Sequence, residues 1–470
     1  MSVPCGNFPS NVTIRCLFPS AFFLVAFFLV LSLMFVVAAL RPLQASDTEE
    51  QTELLLSAPI LQAVRAHPQI LSQNAKLCQS IYRLGLSRAE QRAQISAKLS
   101  GGKRLGNNFN SKSRDADRAS LRGFKNSENK VFDLDVTLRY ALWDWDRGDN
   151  RVASHELTYA VNQLELEIAL SDQLKSLLFM SLRLNLYEQL LGLHRQIITD
   201  INPHIEAIEA QGSAGVIRMA DVRRAKLLQL DAEIKLRRTE NNRAQILREL
   251  DGLFGLQPEA ARELLAVWLE RRPADLPALV PDSSLAARSL ALQTRAARHE
   301  REVIEAELYP SVDGVLEATL FDLRDYEDEY QMVGRLEFSM PLYDGGSNKA
   351  RLAENNWRIS ELGAERNRVI QEKQNEEAFN RLNYDDHQAQ LAALSDRLAN
   401  ARERLASMMA LLGRSDISRF DIAQQMIELG ASVEEQVSTG LELETTRITG
   451  LHLTDRLADI LNIRIGDKGC

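Results

Sequence analysis

The sequence predicts an α+β membrane protein made of two internal repeats, each a pair of short strands followed by a long helical hairpin, whose strands must combine between copies to close a β-barrel. Three observations carry that prediction. Residues 138–151 (LRYALWDWDRGDNR) lie over residues 336–349 (LEFSMPLYDGGSNK) without a gap, and a repeat constrains the whole architecture. No proline occurs after Pro341, which suits long helices and not a domain rich in turns. Upstream of each repeated turn the apolar residues switch to a period of two, the period of a strand.

The first element is a targeting segment. From Ala21 to Leu40 the chain is apolar except for Ser32, with Arg15 before the run and Arg41 after it. About 20 such residues could span a bilayer as an anchor; Leu43-Gln44-Ala45 resembles a small-residue cleavage site, so residues 1–45 are read as a cleaved signal peptide. Its loss removes only Arg15 and Arg41 and moves the formal charge from −9 to −11. Of the four cysteines, Cys5 and Cys16 lie in this segment, without the small-residue pattern that lipidation needs. Cys78 and Cys470 make no disulfide framework, although an extracytoplasmic site would permit a bridge, and are expected to be unpaired.

Four strands follow from the alternation. In 131–142, Phe132, Leu134, Val136, Leu138, Tyr140 and Leu142 alternate with Asp133, Asp135, Thr137, Arg139 and Ala141, and residues 334–340 repeat the pattern. Weaker partners are Ile95, Ala97 and Leu99 in the first half and Val312, Gly314, Leu316, Ala318 and Leu320 in the second. An apolar face backed by a charged one fits a transmembrane barrel with lipid outside and water inside. Strand edges cannot be left open in lipid, and about eight strands is the smallest usual barrel. Three copies of four strands would close one.

The helices come next. Residues 149–191 and 351–412 are dense in helix formers, with Gly363 the only glycine or proline in either stretch; Gly192 and Pro203 are expected to weaken or kink the first copy. A second block keeps the register of the first, with Gly215, Met219, Val222 and Ala225 on Gly413, Ile417, Phe420 and Ala423. Further helices are expected from about Val216 to Leu250 and from Ile417 to Leu461. The resulting organisation is a signal peptide at 1–45, a first repeat at 46–250, a linker at 251–282 containing Pro258, Pro273, Pro277 and Pro281, and a second repeat at 283–470.

These features together resemble the TolC-like outer-membrane efflux proteins, over essentially the whole mature chain. Residues 58–70 (APILQAVRAHPQI) look like that family's opening helix, with His67-Pro68-Gln69-Ile70 at its end. Leu308-Tyr309-Pro310-Ser311-Val312 looks like its helix-to-strand passage. Pro341-Leu342-Tyr343-Asp344-Gly345-Gly346, followed by Lys349 and Arg351, is similar to its strand-to-helix hinge, and 142–148, with Asp146 and Gly148, is a degenerate copy. The resemblance implies a homotrimer with a 12-stranded outer-membrane β-barrel, four strands per protomer, continued by a long periplasmic α-helical barrel with 251–282 in its equatorial region. It implies a passive exit duct of a tripartite efflux or type I secretion system, with a periplasmic adaptor and an inner-membrane ABC or proton-driven exporter as partners and outer-membrane lipid around the strands. The alternative from another class is the periplasmic adaptor of such a system, which would show one hairpin flanked by compact β domains; an anchored coiled-coil scaffold would show sustained heptads and no amphipathic strands.

Candidate site residues follow from the two repeated blocks. Gly345 and Gly346 after Asp344 let the chain turn where a β-carbon would clash, and Gly148 is expected to do that at the first hinge. The family's periplasmic tip reads like Gly-x-x-x-Ile-x-Asp-Val-x-x-Ala, which Gly215 and Asp221 satisfy. In the second copy Gly413 fits but Arg419 stands where an acid is expected, with Asp416 and Asp421 nearby. These residues are either a gate or a solvated helix end. Residues 101–130 hold eight Lys or Arg and three acids, whereas 321–331 holds five acids and one Arg; such loops are either solvated or attract one another over the outer mouth. No histidine pair has metal-ligand spacing, and there is no phosphate-cradling loop, nucleophile elbow or basic-aromatic nucleic-acid surface. No enzyme, cofactor or metal site is expected.

Overall fold

The structure, a computed structural model, describes residues 58–103, 130–320, 330–412, 417–461 and 463. The expected signal peptide, most of both charged loops, Gly413, Asp416 and Cys470 lie outside these residues. Helices α1 (Ala58–Ala66) and α2 (Pro68–Glu90) lead into strands β1 (Gln94–Lys103) and β2 (Lys130–Trp143). The 67-residue α3 (Arg147–Ser213) and α4 (Met219–Phe254) form the first hairpin. A short α5 (Pro258–Arg271) and α6 (Leu285–Ala306) lead to β3 (Ser311–Leu320) and β4 (Tyr330–Ser339), and then α7 (Ser347–Leu411) and α8 (Arg419–Leu453) form the second hairpin, followed by the single turn α9 (Leu457–Ile460).

The four strands make one antiparallel sheet in the order β1-β2-β3-β4, so β1 and β4 are its edges. Helices α3 and α7 leave the sheet and, at about 1.5 Å per residue, run roughly 100 Å to a far tip. Near the sheet the neighbours are α2, α3, α6 and α7; towards the tip α4 and α8 flank α3, and α8 also packs on α7. The two halves therefore lie side by side along their whole length.

Helix α3 passes unbroken through Gly192 and Pro203, correcting the expected weakening. Ile201, Ile205 and Ile208 beside the proline are buried with Val222, Ala225 and Ala423 in a cluster at the tip, and burial of that stripe outweighs the local cost. Gly212 is part of the same junction: a β-carbon there would come within 2.4 Å of a Val222 methyl. Helix α8 stops at Leu453 rather than continuing to Leu461. Asp455 adopts a left-handed φ of 57°, the Arg456 amide reaches back to Leu451 O at 2.9 Å, and Leu457, Leu461 and Ile463 turn into the main core.

That core lies mid-way along the molecule, where Leu174, Leu177 and Leu178 of α3, Leu250 of α4 and Leu264 and Trp268 of α5 are almost wholly buried. Cys78 on α2 is disulfide-bonded, which corrects the expectation that it is unpaired. A polar island sits at the edge of the core: His452 Nδ1 is 2.9 Å from Ser171 Oγ and Nε2 is 3.3 Å from Asp172. Burial first, then the ammonium groups of Lys175 and Lys373, push the His452 pKa down to about 4. A depressed histidine favours the fold while neutral, so its contribution is complete above about pH 6.5 and is lost as the pH falls towards 4. Asp172, whose carboxyl burial raises, works in the opposite sense on acidification. Replacing His452 with Gln is expected to flatten the fall in thermal midpoint between pH 6.5 and 4; an unchanged acid limb would show that another group dominates.

Candidate functional site

Register divides the sheet into two faces. One carries Ile95 and Leu99 of β1, Leu134, Val136 and Leu138 of β2, Leu316 and Leu320 of β3, and Met332, Leu336 and Phe338 of β4. It is bare in the protomer: Ile95 is 68% exposed, Met332 65% and Phe338 73%. The other face is a charge ladder. Arg139 lies 3.6 Å from Asp313 and 3.2 Å from Glu337, Arg335 is 2.7 Å from both Glu317 and Glu337, and Thr319 donates to Asp135 at 2.8 Å. An apolar face this continuous marks a surface meant for an apolar neighbour, and its alternation with a charged face is that of a barrel wall between lipid and water.

Each sheet half turns into its long helix through an aspartate. At the second hinge the Asp344 carboxylate accepts from the Gly346 amide at 2.9 Å and from the Asn348 amide at 2.8 Å, and these bonds hold its pKa below the ordinary carboxylate value. Gly345 and Gly346 take φ of 68° and 89°, which glycine adopts without strain. Pro341 precedes the turn, and beyond it Leu342 and Tyr343 are each 91% exposed. At the first hinge the equivalent acid is Asp144, not Asp146: its carboxylate accepts from the Gly148 amide at 2.9 Å. Trp145 and Asp146 fill the places of Gly345 and Gly346, both at φ 59°. Gly148 therefore belongs to the helix start and does not supply the turn. A left-handed tryptophan is held in place by its neighbours: its Nε1 donates to Pro310 O at 2.8 Å and its ring lies 5.0 Å from that of Tyr309.

At the far tip, the two second helices start at matching points. Arg218 and Ser418 are the N-caps of α4 and α8, which sets Asp221 on Asp421, and Val222 on Ile422, both buried. Arg419 thus corresponds to Met219, and the acid is not replaced; the second tip loop is longer by two residues. The two acids differ in what holds them. Asp421 closes a capping box, accepting from the Ser418 amide at 2.9 Å and the Ser418 hydroxyl at 2.7 Å. Asp221 has one cation, Arg224, at 3.7 Å. Gly215 takes φ 74° at the end of α3. Burial first, and then the nearby Arg419 charge, lower the pKa of His204 on α3.

Residues 278–432, which contain the second hinge and the second tip, match the family model for outer membrane efflux proteins. The matched segment spans 155 of the chain's 470 residues. No curated protein matches it by sequence. Among solved structures it is similar to CusC, whose crystal structures concern folding and transmembrane channel formation (TM-score 0.69, 13% identity, 86% of this chain and 91% of that one). It is also similar to the outer membrane protein VceC of Vibrio cholerae (0.68, 15%, 86% and 95%) and to the open state of the MtrE outer membrane channel of Neisseria gonorrhoeae (0.65, 14%, 84% and 89%). At such identities these likenesses show the fold. The chain thus has the fold of these outer-membrane channels, and the bare apolar face of its sheet is a surface suited to an apolar neighbour.

Proposed function

We propose that three copies close their sheets into one 12-stranded barrel and their helices into one tunnel, a passive exit duct from periplasm to exterior. The observation that carries this reading is the pair of open edges. Strand β1 and its helix α2 lie at one side of the protomer, and β4 with its helix α7 at the other. Both helices bear bare apolar side chains at similar distances from the sheet: Tyr82 and Leu86 of α2 are 64% and 65% exposed, and Trp357 of α7 is 76% exposed. A copy whose β4 and α7 meet the next copy's β1 and α2 satisfies the strand edges and covers these side chains together. The segment 251–282 forms the mid-tunnel collar. A periplasmic adaptor and an inner-membrane ABC or proton-driven exporter dock at the tip and supply the energy. The adaptor reading of the chain itself is disfavoured, since two helical hairpins share one two-faced sheet.

Outer-membrane fractionation with gel mobility of unheated sample tests this: a heat-dissociable trimer is expected, and a monomer in the inner membrane would overturn it. At the tip, Gly215, Asp221, Gly413, Asp416, Arg419 and Asp421 form the constriction, with Asp221 its least engaged described acid. Replacing Asp221 with Asn is therefore expected to lower cation selectivity in planar bilayers more than replacing Asp421, whose carboxylate is committed to its cap. Equal effects would remove Asp221 from the gate.

A further inference from the structure

Strand β2 breaks its ladder near the hinge. Its register with β3 sets Tyr140 on Gly314 and Ala141 on Asp313, then jumps to Trp143 on Val312. In an unbroken ladder Trp143 would share the parity of Arg139 and Ala141 and face the charge ladder. The bulge at Leu142 puts it on the apolar face instead, in one row with Val312 and Phe338. Leu142 lies on that face too, with Cδ1 3.3 Å from where a β-carbon on Gly314 would stand. Two residues after the bulge, Trp145 holds its left-handed φ of 59°. Its ring meets that of Trp143 edge-on at 5.7 Å and that of Tyr309 at 5.0 Å. A bulge and a strained backbone thus gather three aromatic rings at one end of the apolar face, and each ring residue remains about half exposed. Local departures of this kind persist where they serve a function, and rings left half bare serve a surface and not the core.

We propose that Trp143, Trp145 and Tyr309 form a phospholipid anchor, seated where headgroups meet acyl chains in the periplasmic leaflet, which fixes how deep the barrel stands. The anchor rests on the barrel reading above. Rings with an apolar body and a polar N–H or O–H favour that boundary, and barrels of the outer membrane carry them in girdles. A neighbouring copy is not the cover, because Trp143 and Tyr309 belong to β2 and the entry to β3, the inner strands, whereas copies meet at β1 and β4. The spacing suits a membrane. Tyr330, registered with Leu320, marks the other end of the apolar face. From Tyr330 to Phe338 is about 26 Å of strand, which at a tilt of about 40° covers most of the roughly 25 Å apolar band of such barrels. The charges suit headgroups: Arg92 ahead of β1 and Lys349 in the first turn of α7 are exposed near the hinge end, where cations attract lipid phosphates.

The test is quenching of tryptophan fluorescence in the full-length trimer, reconstituted into vesicles of phosphatidylcholine and phosphatidylglycerol whose acyl chains carry bromine either near the headgroup or near the bilayer centre. The chain has four tryptophans. Trp268 is wholly buried in the main core and Trp357 lies on α7 beyond the sheet, so bromine in the lipid reads Trp143 and Trp145. Quenching is expected to be stronger with bromine near the headgroup than at the centre, to fall by roughly half in Trp143→Phe, and to vanish in the double variant Trp143→Phe, Trp145→Phe. A trimer that neither lipid quenches, that is quenched most from the centre, or whose quenching survives the double variant would overturn the anchor. The first two of these outcomes are read on the wild-type protein and stand even where a variant does not assemble. All three leave the channel reading in place, whereas a wild-type chain that gives no trimer in vesicles would overturn the barrel and the anchor with it.

Discussion

Replacing Glu444 with Ala is expected to cost about 3–5 kcal/mol of stability, the usual penalty for removing one partner of a buried ion pair. Glu444 lies on α8 against the segment 251–282, and its carboxylate gathers three donors: Trp268 Nε1 at 3.1 Å, Arg447 at 2.6 Å and Arg272. The Glu444 and Arg447 side chains are each only 10% exposed. Arg447 also donates to Tyr384 Oη at 3.0 Å, and Tyr384 in turn donates to Ala274 O at 3.0 Å. The glutamate is thus the node that straps 268–277 to both helices of the second hairpin. Without it Arg447 keeps Tyr384 alone, and the fully buried Trp268 loses its acceptor. Denaturant unfolding of the purified protein should move to lower midpoint, with proteolysis appearing at 272–280. The double variant Glu444→Leu, Arg447→Met should recover most of the loss, because it leaves no unpaired buried charge. A single variant as stable as wild type would mean that water already shares the site.

That node was not legible in the sequence. A Glu and an Arg three apart on a helix read as a surface pair, and only the segment 268–277 folding back over them takes both out of water. The sheet was legible for the opposite reason: its apolar side faces outward, so the period of two is uninterrupted along 131–142 and survives in single-sequence reading. The repeat is visible in the sequence, but at the hinges and tips its structural register differs by two residues from the gapless one. Gapless matching lays Asp146 on Asp344 and Ile417 on Met219, while the backbone pairs Asp144 with Asp344 and Arg218 with Ser418. The second copy carries longer connections at both points, and two inserted residues in a turn leave no periodic trace. The first hinge hid its function further by using Trp145 and Asp146 in left-handed conformations where the second uses glycines; the contacts of Trp145 with Tyr309 and Pro310 lie far away in sequence.

In the proposed barrel the two faces of the sheet meet different media, so the same substitution should give opposite results one residue apart. Leu138 sits mid-strand on the apolar face, opposite Ile95 of β1 and Leu316 of β3. An arginine there must hold its charge in lipid, at roughly 2–4 kcal/mol per copy near the bilayer midplane, and the penalty recurs in every copy of an assembled barrel. Leu138→Arg is therefore expected to abolish the heat-dissociable trimer in outer membranes. Thr137 points to the charge ladder and is registered with Glu317, so Thr137→Arg gains a carboxylate partner and faces water. It should assemble at near wild-type level and reduce cation passage in single-channel recordings. If both variants assemble equally, the apolar face is not in contact with lipid, and the sheet would have to bury that face against protein; if Thr137→Arg alone fails, the assignment of inside and outside is reversed.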